Sequence, residues 1–485
     1  MTLLQKPSTR SLILWIILIR SLVFVTMWIL ELNYGFRPTE RIGFFFYGND
    51  AHSYLDPIET FVDQGAFLLD GEYSAFRMPG YLLLYGIPYF LFGQEIGLLI
   101  LSLFNLVIDV ASCVLLFQLL VRIVRPNWAF LILIGYLVYP RIASFGYLGM
   151  PEVVASFCLI GIVYCATELQ FTFKRKYIWF SALLITQLVF MKPIAVLLIP
   201  VILAHILYVF CKNSMSLSHL VSAGFSYLLI PCLAIGIWTV RNYMQFDKIM
   251  PLSSALTWTG PDQGFRSFCR RTGLEFQSWH GDDARAWFVP NDHYWYNEEF
   301  ANSNPFPDYI YTSVYNLDSL VSLRSDWHRS IKMAADDPDK IVLEQKVEMK
   351  FLDYANSFIF ERPFHFLVTI RVKLLSSFLF IKDSFSPFSQ NSLVFLVIRI
   401  LYFATYYFLV LGMLFTLIAG YIKRKEPEMA LVALMIVVFI GSHVLMGRIE
   451  NRYLLPILPL GLIGYAWLIK ALIQRGLLKA NIFHH

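Results

Sequence analysis

Charge is scarce in this chain. Of its 485 residues only 15% are Asp, Glu, Lys or Arg and 57% are apolar, against about 25% and 45–50% in soluble domains. That shortage excludes an ordinary soluble fold. Cysteine is scarce too. The six cysteines (113, 158, 165, 211, 232 and 269) form no CxxC pair, which excludes a disulfide framework or a cysteine zinc site. Five lie in or beside apolar runs; only Cys269 lies in a polar stretch. No internal repeat, low-complexity tract or Cys/His metal pattern is present. The net charge of +5 is too small to point to nucleic acid.

The chain does have long apolar runs, at 11–32, 97–121, 128–147, 152–170, 177–191, 193–211, 217–239, 392–421, 428–447 and 453–473. Crossing a bilayer takes about 20 apolar residues, so the pattern predicts a polytopic membrane protein. Two further stretches are ambiguous: 79–92 is short and contains Pro88, and 363–380 carries Lys373. Basic residues favour the cytoplasmic side. With ten crossings, Lys6 and Arg10, Arg122 and Arg125, Lys174 to Lys176, Lys212, Lys423 to Lys425, Arg475 and Lys479 all fall inside. The ambiguous stretches then read as re-entrant or interfacial, and both termini as cytoplasmic. Lys6 and Arg10 also give the first run the look of a signal sequence. The run is too long for one and no small-residue cleavage site follows, so it reads as an uncleaved helix.

Two polar regions fall outside: residues 33–78, and residues 242–362, about 120 residues and long enough for a small folded module. The organisation expected is an N-terminal membrane module over 1–241, an outer domain over 242–362, and C-terminal membrane helices over 363–485.

Ionisable residues gather at that outer boundary. The first loop holds Asp50, His52, Asp56 and Arg77; Arg141 and Glu152 flank a turn in YPRIASFGYLGMPE; Lys192 joins two runs; Arg241 ends another; Arg448, Glu450 and Arg452 precede the last. Any one Arg or Lys at a helix end can simply snorkel to the interface, and Asp109, inside a run, reads as a helix–helix hydrogen-bonding group. The co-location of cations and carboxylates suits an anionic substrate with a base beside it.

Four stretches then resemble one family. They are NDAHSYL (49–55), FRMPGYLLLYGIPYFLFG (76–93), IWTVRNYMQFDKIMPLSS (237–254) and ENRYLLPILPLGLIGYA (450–466). In this order they resemble the GT-C class of polyprenyl-phosphate-sugar glycosyltransferases, the protein O-mannosyltransferase and lipid A aminoarabinose transferase family. MKPIAVLLIP (191–200) is similar to a further segment in which the family usually has Arg-Pro; Lys192 replaces that Arg.

The resemblance implies an all-α, GT-C-like bundle of about ten to twelve transmembrane or re-entrant helices with an outer soluble module. It implies a polyprenyl-phosphate-linked sugar (undecaprenyl, in a bacterial inner membrane) as donor. The acceptor would be a lipid, glycan or protein at the periplasmic face; membrane lipids surround the chain, and nucleic acid has no part. Asp50 matches the family's first-loop acid and is expected as catalytic base. Substrate contacts are expected from His52, Tyr54, Asp56, Arg77, Glu152, Lys192, Arg241, Asn242, Arg448, Arg452 and Tyr453, with Arg241, Arg452 and Arg77 foremost as a phosphate clamp. A divalent metal stays open: relatives often have two adjacent acids where this chain has Asn49-Asp50. A secondary transporter and a non-catalytic lipid-binding partner of an envelope glycan pathway are the alternatives. An envelope polysaccharide polymerase or ligase is a third.

Topology gives the first test. Reporter cysteines placed singly in 33–78 and in 242–362 of a cysteine-free chain should both react with an impermeant reagent in intact cells. Labelling of only one region would overturn the ten-crossing arrangement.

Overall fold

The computed structural model describes residues 8–34, 40–43, 45–47, 50–253, 261–274, 287–288, 303–334, 337–380, 393–423, 426–446 and 451–477. The chain divides into two compact units, one made of Met1–Ser254, Asp383–Ser442 and Arg452–His485, the other of Ala255–Lys382 and His443–Asn451.

In the first unit α1 (Thr9–Tyr34) leads into a hairpin, β1 (Glu40–Ile42) with β2 (Phe45–Tyr47), and a short helix α2 (Ala51–Gln64). A second hairpin follows, β3 (Leu68–Leu69) with β4 (Glu72–Tyr73). Asp70 and Gly71 turn it with φ of 54° and 82°, the positive-φ pair that a two-residue hairpin loop demands. The membrane helices are α3 (Ile87–Val121), α4 (Pro126–Leu137), α6 (Glu152–Thr172), α7 (Lys176–Met191), α8 (Leu198–Lys212) and α9 (Leu217–Phe246), with a short α5 (Pro140–Phe145) between α4 and α6. The architecture is all-α apart from the two small hairpins, which apolar periodicity gave no reason to expect.

Among the described residues seven helical stretches are long and apolar enough to cross a membrane. Three expected crossings (128–147, 177–191 and 453–473) are represented by shorter apolar helices, Pro126–Leu137, Lys176–Met191 and Leu458–Gln474. The ambiguous 79–92 is helical and runs into α3. Together Leu82–Val121 spans 40 residues, about 60 Å if straight and about twice a bilayer core. Gly93, at φ 76° and ψ −178°, breaks the run and separates a membrane-length segment from the stretch before it.

Helix α6 is the centre of this unit. Of its apolar window 89% is buried, against 28% for α1 and 17% for α9. Helices α3 and α7 pack against it. That explains an apolar run without a polar face, since a helix buried all round needs none.

Helix α4 is only 12 residues long, about 18 Å. It stops short of a crossing and leaves carbonyls without helical partners. Arg20, 0% exposed and midway along α1, meets them. Its Nη1 donates to the carbonyls of Tyr136 (3.2 Å), Leu137 (3.0 Å) and Tyr139 (2.9 Å), while Nε and Nη2 form a fork on Asp109 of α3 at 2.7 and 3.2 Å. Irregular backbone at membrane depth is tolerated only where protein satisfies it. Asp109 is thus the helix–helix group its position suggested, and Arg20 is the partner.

Further helices among the described residues are α10 (Pro261–Thr272), α11 (Leu317–Lys332), α12 (Pro338–Glu361), α13 (Ile370–Leu379), α14 (Leu393–Ile422), α15 (Pro427–Leu445) and α16 (Leu462–Gln474). Helices α14 and α16 touch backbone to backbone: a Cβ on Gly412 would sit 2.6 Å from the Gly461 carbonyl oxygen. The second unit has its own core. Phe265 and Phe268 of α10, Trp287, Phe288, Trp327 of α11 and Phe351 of α12 pack as one aromatic cluster. An Asn316–Ser319 capping box starts α11, and Asp337 caps α12 ahead of Pro338.

Removing Arg20 strands a carboxylate and takes a donor from three carbonyls, of which that of Tyr136 keeps a backbone partner, the Tyr139 N–H at 3.1 Å, whereas removing Asp109 strands one guanidinium that keeps its carbonyls. Arg20→Met should therefore cost more than Asp109→Asn, at about 3–5 kcal/mol for the uncompensated charge. Thermal melts in nanodiscs check the order; equal melting temperatures for Arg20→Met and wild type would refute the capping role.

Candidate functional site

Helix α2 is amphipathic on three sides. At about 100° per residue, Ala51, Leu55 and Ile58 share one face, which is buried. That face rests on Gly149, where φ is 65° and a Cβ would meet Leu55 at 2.9 Å and Phe45 at 3.0 Å. Asp50, Ser53 and Tyr54 share a second face. His52, Asp56, Glu59 and Asp63 share a third. The residues 50–56, adjacent in sequence, therefore do not form one site.

The Asp50 face gathers cations. The Asp50 carboxylate accepts a hydrogen bond from Arg452 Nη2, and Arg77 Nη2 lies 3.9 Å from the same oxygen. Ser53 sets Arg77 in place: its hydroxyl accepts from Arg77 Nε at 3.0 Å and donates to the Asp50 carbonyl at 2.7 Å. The Arg77 guanidinium also covers the Tyr54 ring at 4.3 Å. Tyr453 lies beside Arg452 and a third cation, with Lys192 Nζ at 5.0 Å and the Arg452 guanidinium at 5.3 Å from its ring centroid. Lys192 in turn donates to Glu152 Oε1 at 3.0 Å, with both side chains buried. Among the described residues, three cations (Arg77, Lys192 and Arg452) thus gather with two carboxylates, Asp50 and Glu152.

Electrostatics separates the two faces of α2. Burial alone would lift the Asp50 pKa, but Arg452 and Arg77 outweigh it and hold the carboxyl below the ordinary 3.8. Burial lifts Asp56 above 3.8, and Glu59 adds to it against the pull of His52. Burial, with Glu152 and Asp50 adding, raises the Tyr54 phenol to about 12 against the pull of Arg77.

The third face has other work. His52 Nδ1 lies 3.3 Å from Asp56. Glu59 accepts from Tyr47 at 3.1 Å, from Tyr85, and from Gln94; Asp63 accepts from Tyr89 at 2.7 Å. These bonds bind α2 to the start of α3.

Of the expected site residues, the structure brings together Asp50, Tyr54, Arg77, Glu152, Lys192, Arg452 and Tyr453. His52 and Asp56 face elsewhere. Arg241 is occupied by the second hairpin: it donates to the carbonyls of Ser74 (2.8 Å) and Phe67 (3.2 Å) and to Asn242 Oδ1 (2.9 Å). The Asn242 amide donates to the Met250 carbonyl at 2.8 Å. Arg448 lies outside the described residues. Sequence reading missed Ser53, whose i+3 spacing from Asp50 was the available signal, and Tyr81, which follows the Pro-Gly of the 76–93 stretch.

Among the described residues no group of three His, Cys, Asp or Glu could hold a metal ion. Asp50 supplies one carboxylate already engaged by two guanidiniums, which is a poor seat for a divalent cation.

No protein-family model and no curated protein sequence matches the chain. Solved structures do. The apo oligosaccharyltransferase of Archaeoglobus fulgidus aligns over 96% of this chain and 51% of its own, at 14% identity and a TM-score of 0.50. The chain shares its fold with that archaeal enzyme. This chain spans about half the length of that enzyme. The same Archaeoglobus protein with an inhibitory peptide and a dolichol-phosphate aligns at 13% identity, covering 98% of this chain and 52% of its own, TM-score 0.45. ArnT from Cupriavidus metallidurans, bound to undecaprenyl phosphate, aligns at 11% identity over 93% of this chain and 78% of its own, with a TM-score of 0.38.

The Asp50–Arg452 contact can be measured by a double-mutant cycle. Asp50→Asn and Arg452→Gln should couple by about 0.5–3 kcal/mol in thermal stability. Because the folded pKa of Asp50 is depressed, the coupling should be complete at neutral pH. It should fade only as pH falls below 3.8 toward the lowered folded value. Additive effects at neutral pH would show that the pair contributes nothing.

Proposed function

We propose that the chain is a membrane glycosyltransferase that moves a sugar from a polyprenyl-phosphate donor to an acceptor at the non-cytoplasmic face. The observation that carries this reading is the clustering of three cations, Arg77, Lys192 and Arg452, near Asp50 on a GT-C-like fold. The donor's phosphate is the leaving group and departs as an anion, so fixed cations lower the barrier to its departure. Arg452 and Arg77 offer planar forks for phosphate oxygens, and Lys192 a compact charge behind them. Arg241, bound to the Phe67 and Ser74 carbonyls, is a scaffold group in this reading, and the clamp passes to the other three.

The acceptor oxygen attacks the anomeric carbon, and the bond from that carbon to the phosphate oxygen breaks. Its electron pair leaves with the polyprenyl phosphate, and the acceptor proton passes to Asp50. A single displacement inverts the anomeric centre. With its pKa depressed, Asp50 is ionised but weakly basic beside Arg452. Donor phosphate on the same guanidiniums offsets their charge and returns basicity to the carboxylate.

The test uses purified protein in nanodiscs with a panel of polyprenyl-phosphate hexoses. Lipid, glycan and peptide acceptors are supplied, and product is read by mass spectrometry. Arg452→Ala should lose donor affinity. Asp50→Asn should bind bare polyprenyl phosphate at least as tightly as wild type, since a competitor for Arg452 is gone, yet lose about 10²–10⁴-fold in turnover. Asp56→Asn should be milder. Turnover near wild type in Asp50→Asn would remove Asp50 as base. Tight donor binding with no product from any acceptor would favour the non-catalytic lipid-binding alternative.

A further inference from the structure

Two polar atoms next to the cation group have no hydrogen-bond partner among the described residues: Glu152 Oε2 and the Tyr81 hydroxyl. Each side chain is only 1% exposed. Leaving one buried polar atom unpaired is costly, and two such atoms bordering one group of charges need an explanation. The scaffold around them is firm. Glu152 is the first residue of α6 and is held by Lys192. Tyr81 is placed by its own loop, since the Gln187 amide of α7 donates to the Gly80 carbonyl at 2.8 Å. A Cβ at Gly80 would sit 2.9 Å from Met191 Sδ. The same end of α7 therefore carries both Lys192 and the seat of Tyr81. The Tyr54 ring meets the Tyr81 ring edge to face, 6.1 Å between centroids, so Tyr81 adjoins the Asp50 face of α2. The Glu152 carboxylate acts electrostatically on both phenols.

The missing partner has a definite chemistry. Glu152 Oε2 needs a donor, and a phenol can give or take a hydrogen bond. One group that donates to the carboxylate and accepts from the phenol is an alcohol. An ammonium is disfavoured, because Lys192 already neutralises Glu152 and Arg452 and Arg77 lie near. We infer that Glu152 and Tyr81 form a subsite for a neutral hydroxyl of the donor's sugar, beside the phosphate clamp. The inference rests on the glycosyltransferase reading and makes Tyr81 a specificity residue rather than a catalytic one. A site built to pair with a hydroxyl discriminates strongly against ligands without it, because its own polar groups are otherwise stranded.

The experiment compares bare polyprenyl phosphate with polyprenyl-phosphate mannose, glucose and galactose. Dissociation constants and melting temperatures are measured for the full chain in nanodiscs. At least one hexose lipid should bind wild type more tightly than the bare lipid. Tyr81→Phe should remove about tenfold of that gain while leaving the bare-lipid affinity unchanged and the melting temperature at or above wild type. Glu152→Gln, if its melt shows a folded protein, should lose the same gain and add little to Tyr81→Phe. A sugar-dependent gain that survives Tyr81→Phe overturns the subsite. So does a lowered melting temperature with the gain intact, the sign of a fixed structural water, and so does the absence of any gain in wild type. Failure of wild type to bind even the bare lipid is a different result and sinks the donor reading itself.

Discussion

The structure depends on what happens to backbone groups where a helix ends inside the membrane. Helix α4 ends after 12 residues, and the chain from Tyr139 to Pro151 runs through the interior as a short helix and turns, almost wholly buried. Arg20 makes this possible by taking three carbonyls at once while Asp109 neutralises it. The Asn105 amide donates to the Gly146 carbonyl at 2.8 Å, and the Phe46 amide to the Tyr147 carbonyl at 3.2 Å. Once those groups are satisfied, α6 can begin at Glu152 rather than at the end of a regular crossing. The same segment supplies Gly149, on which α2 sits. Both carboxylates of the candidate site therefore owe their positions to a charge pair remote from them in sequence.

Five charged groups from four distant parts of the chain then meet. Each carboxylate is held by at least one cation, so neither is stranded. Three cations held at one place are the informative part, since charge near hydrocarbon is expensive and is usually functional. Ser53 and Tyr54 fix Arg77 by hydrogen bonding and stacking, and the Tyr453 ring lies near both Lys192 and Arg452. These neutral groups orient the cations without neutralising them, which leaves the positive field available to an anion.

Much of this was legible in the sequence, and the losses have physical causes. Apolar runs of membrane length located the helices, because burial in lipid leaves a strong compositional trace. They overstated the number of full crossings, since a helix that stops halfway, such as α4, is as apolar as one that crosses. The hairpins went unseen because strands of two or three residues have no usable period, although Asp70-Gly71 is a recognised turn signal. At the site, motif resemblance found Asp50, Arg77, Lys192 and Arg452, the groups the structure assembles. It also grouped His52 and Asp56 with Asp50, because proximity in sequence hides the 100° step of a helix. Arg241 looked like a clamp since it closes a motif and a span; in the structure it donates to the carbonyls of Ser74 and Phe67 and to Asn242 Oδ1, contacts that its sequence position did not show. Tyr81 carried no charge to draw notice.

The three faces of α2 show why a short helix is used at this point instead of a loop. The proposed base and its cations must keep their mutual geometry to within a fraction of an ångström. One helical turn places Asp50, Ser53 and Tyr54 toward Arg77 with no freedom left between them. The apolar face is seated on Gly149 and Phe45, and the Glu59 and Asp63 face is hydrogen-bonded to Tyr47, Tyr85, Gln94 and Tyr89. Locking two faces by different means, one by packing and one by polar bonds, fixes the rotation of the helix about its axis. The Asp50 face then needs no protein partner to hold its orientation. Its carboxylate can trade Arg452 for another arrangement without loosening the helix that carries it.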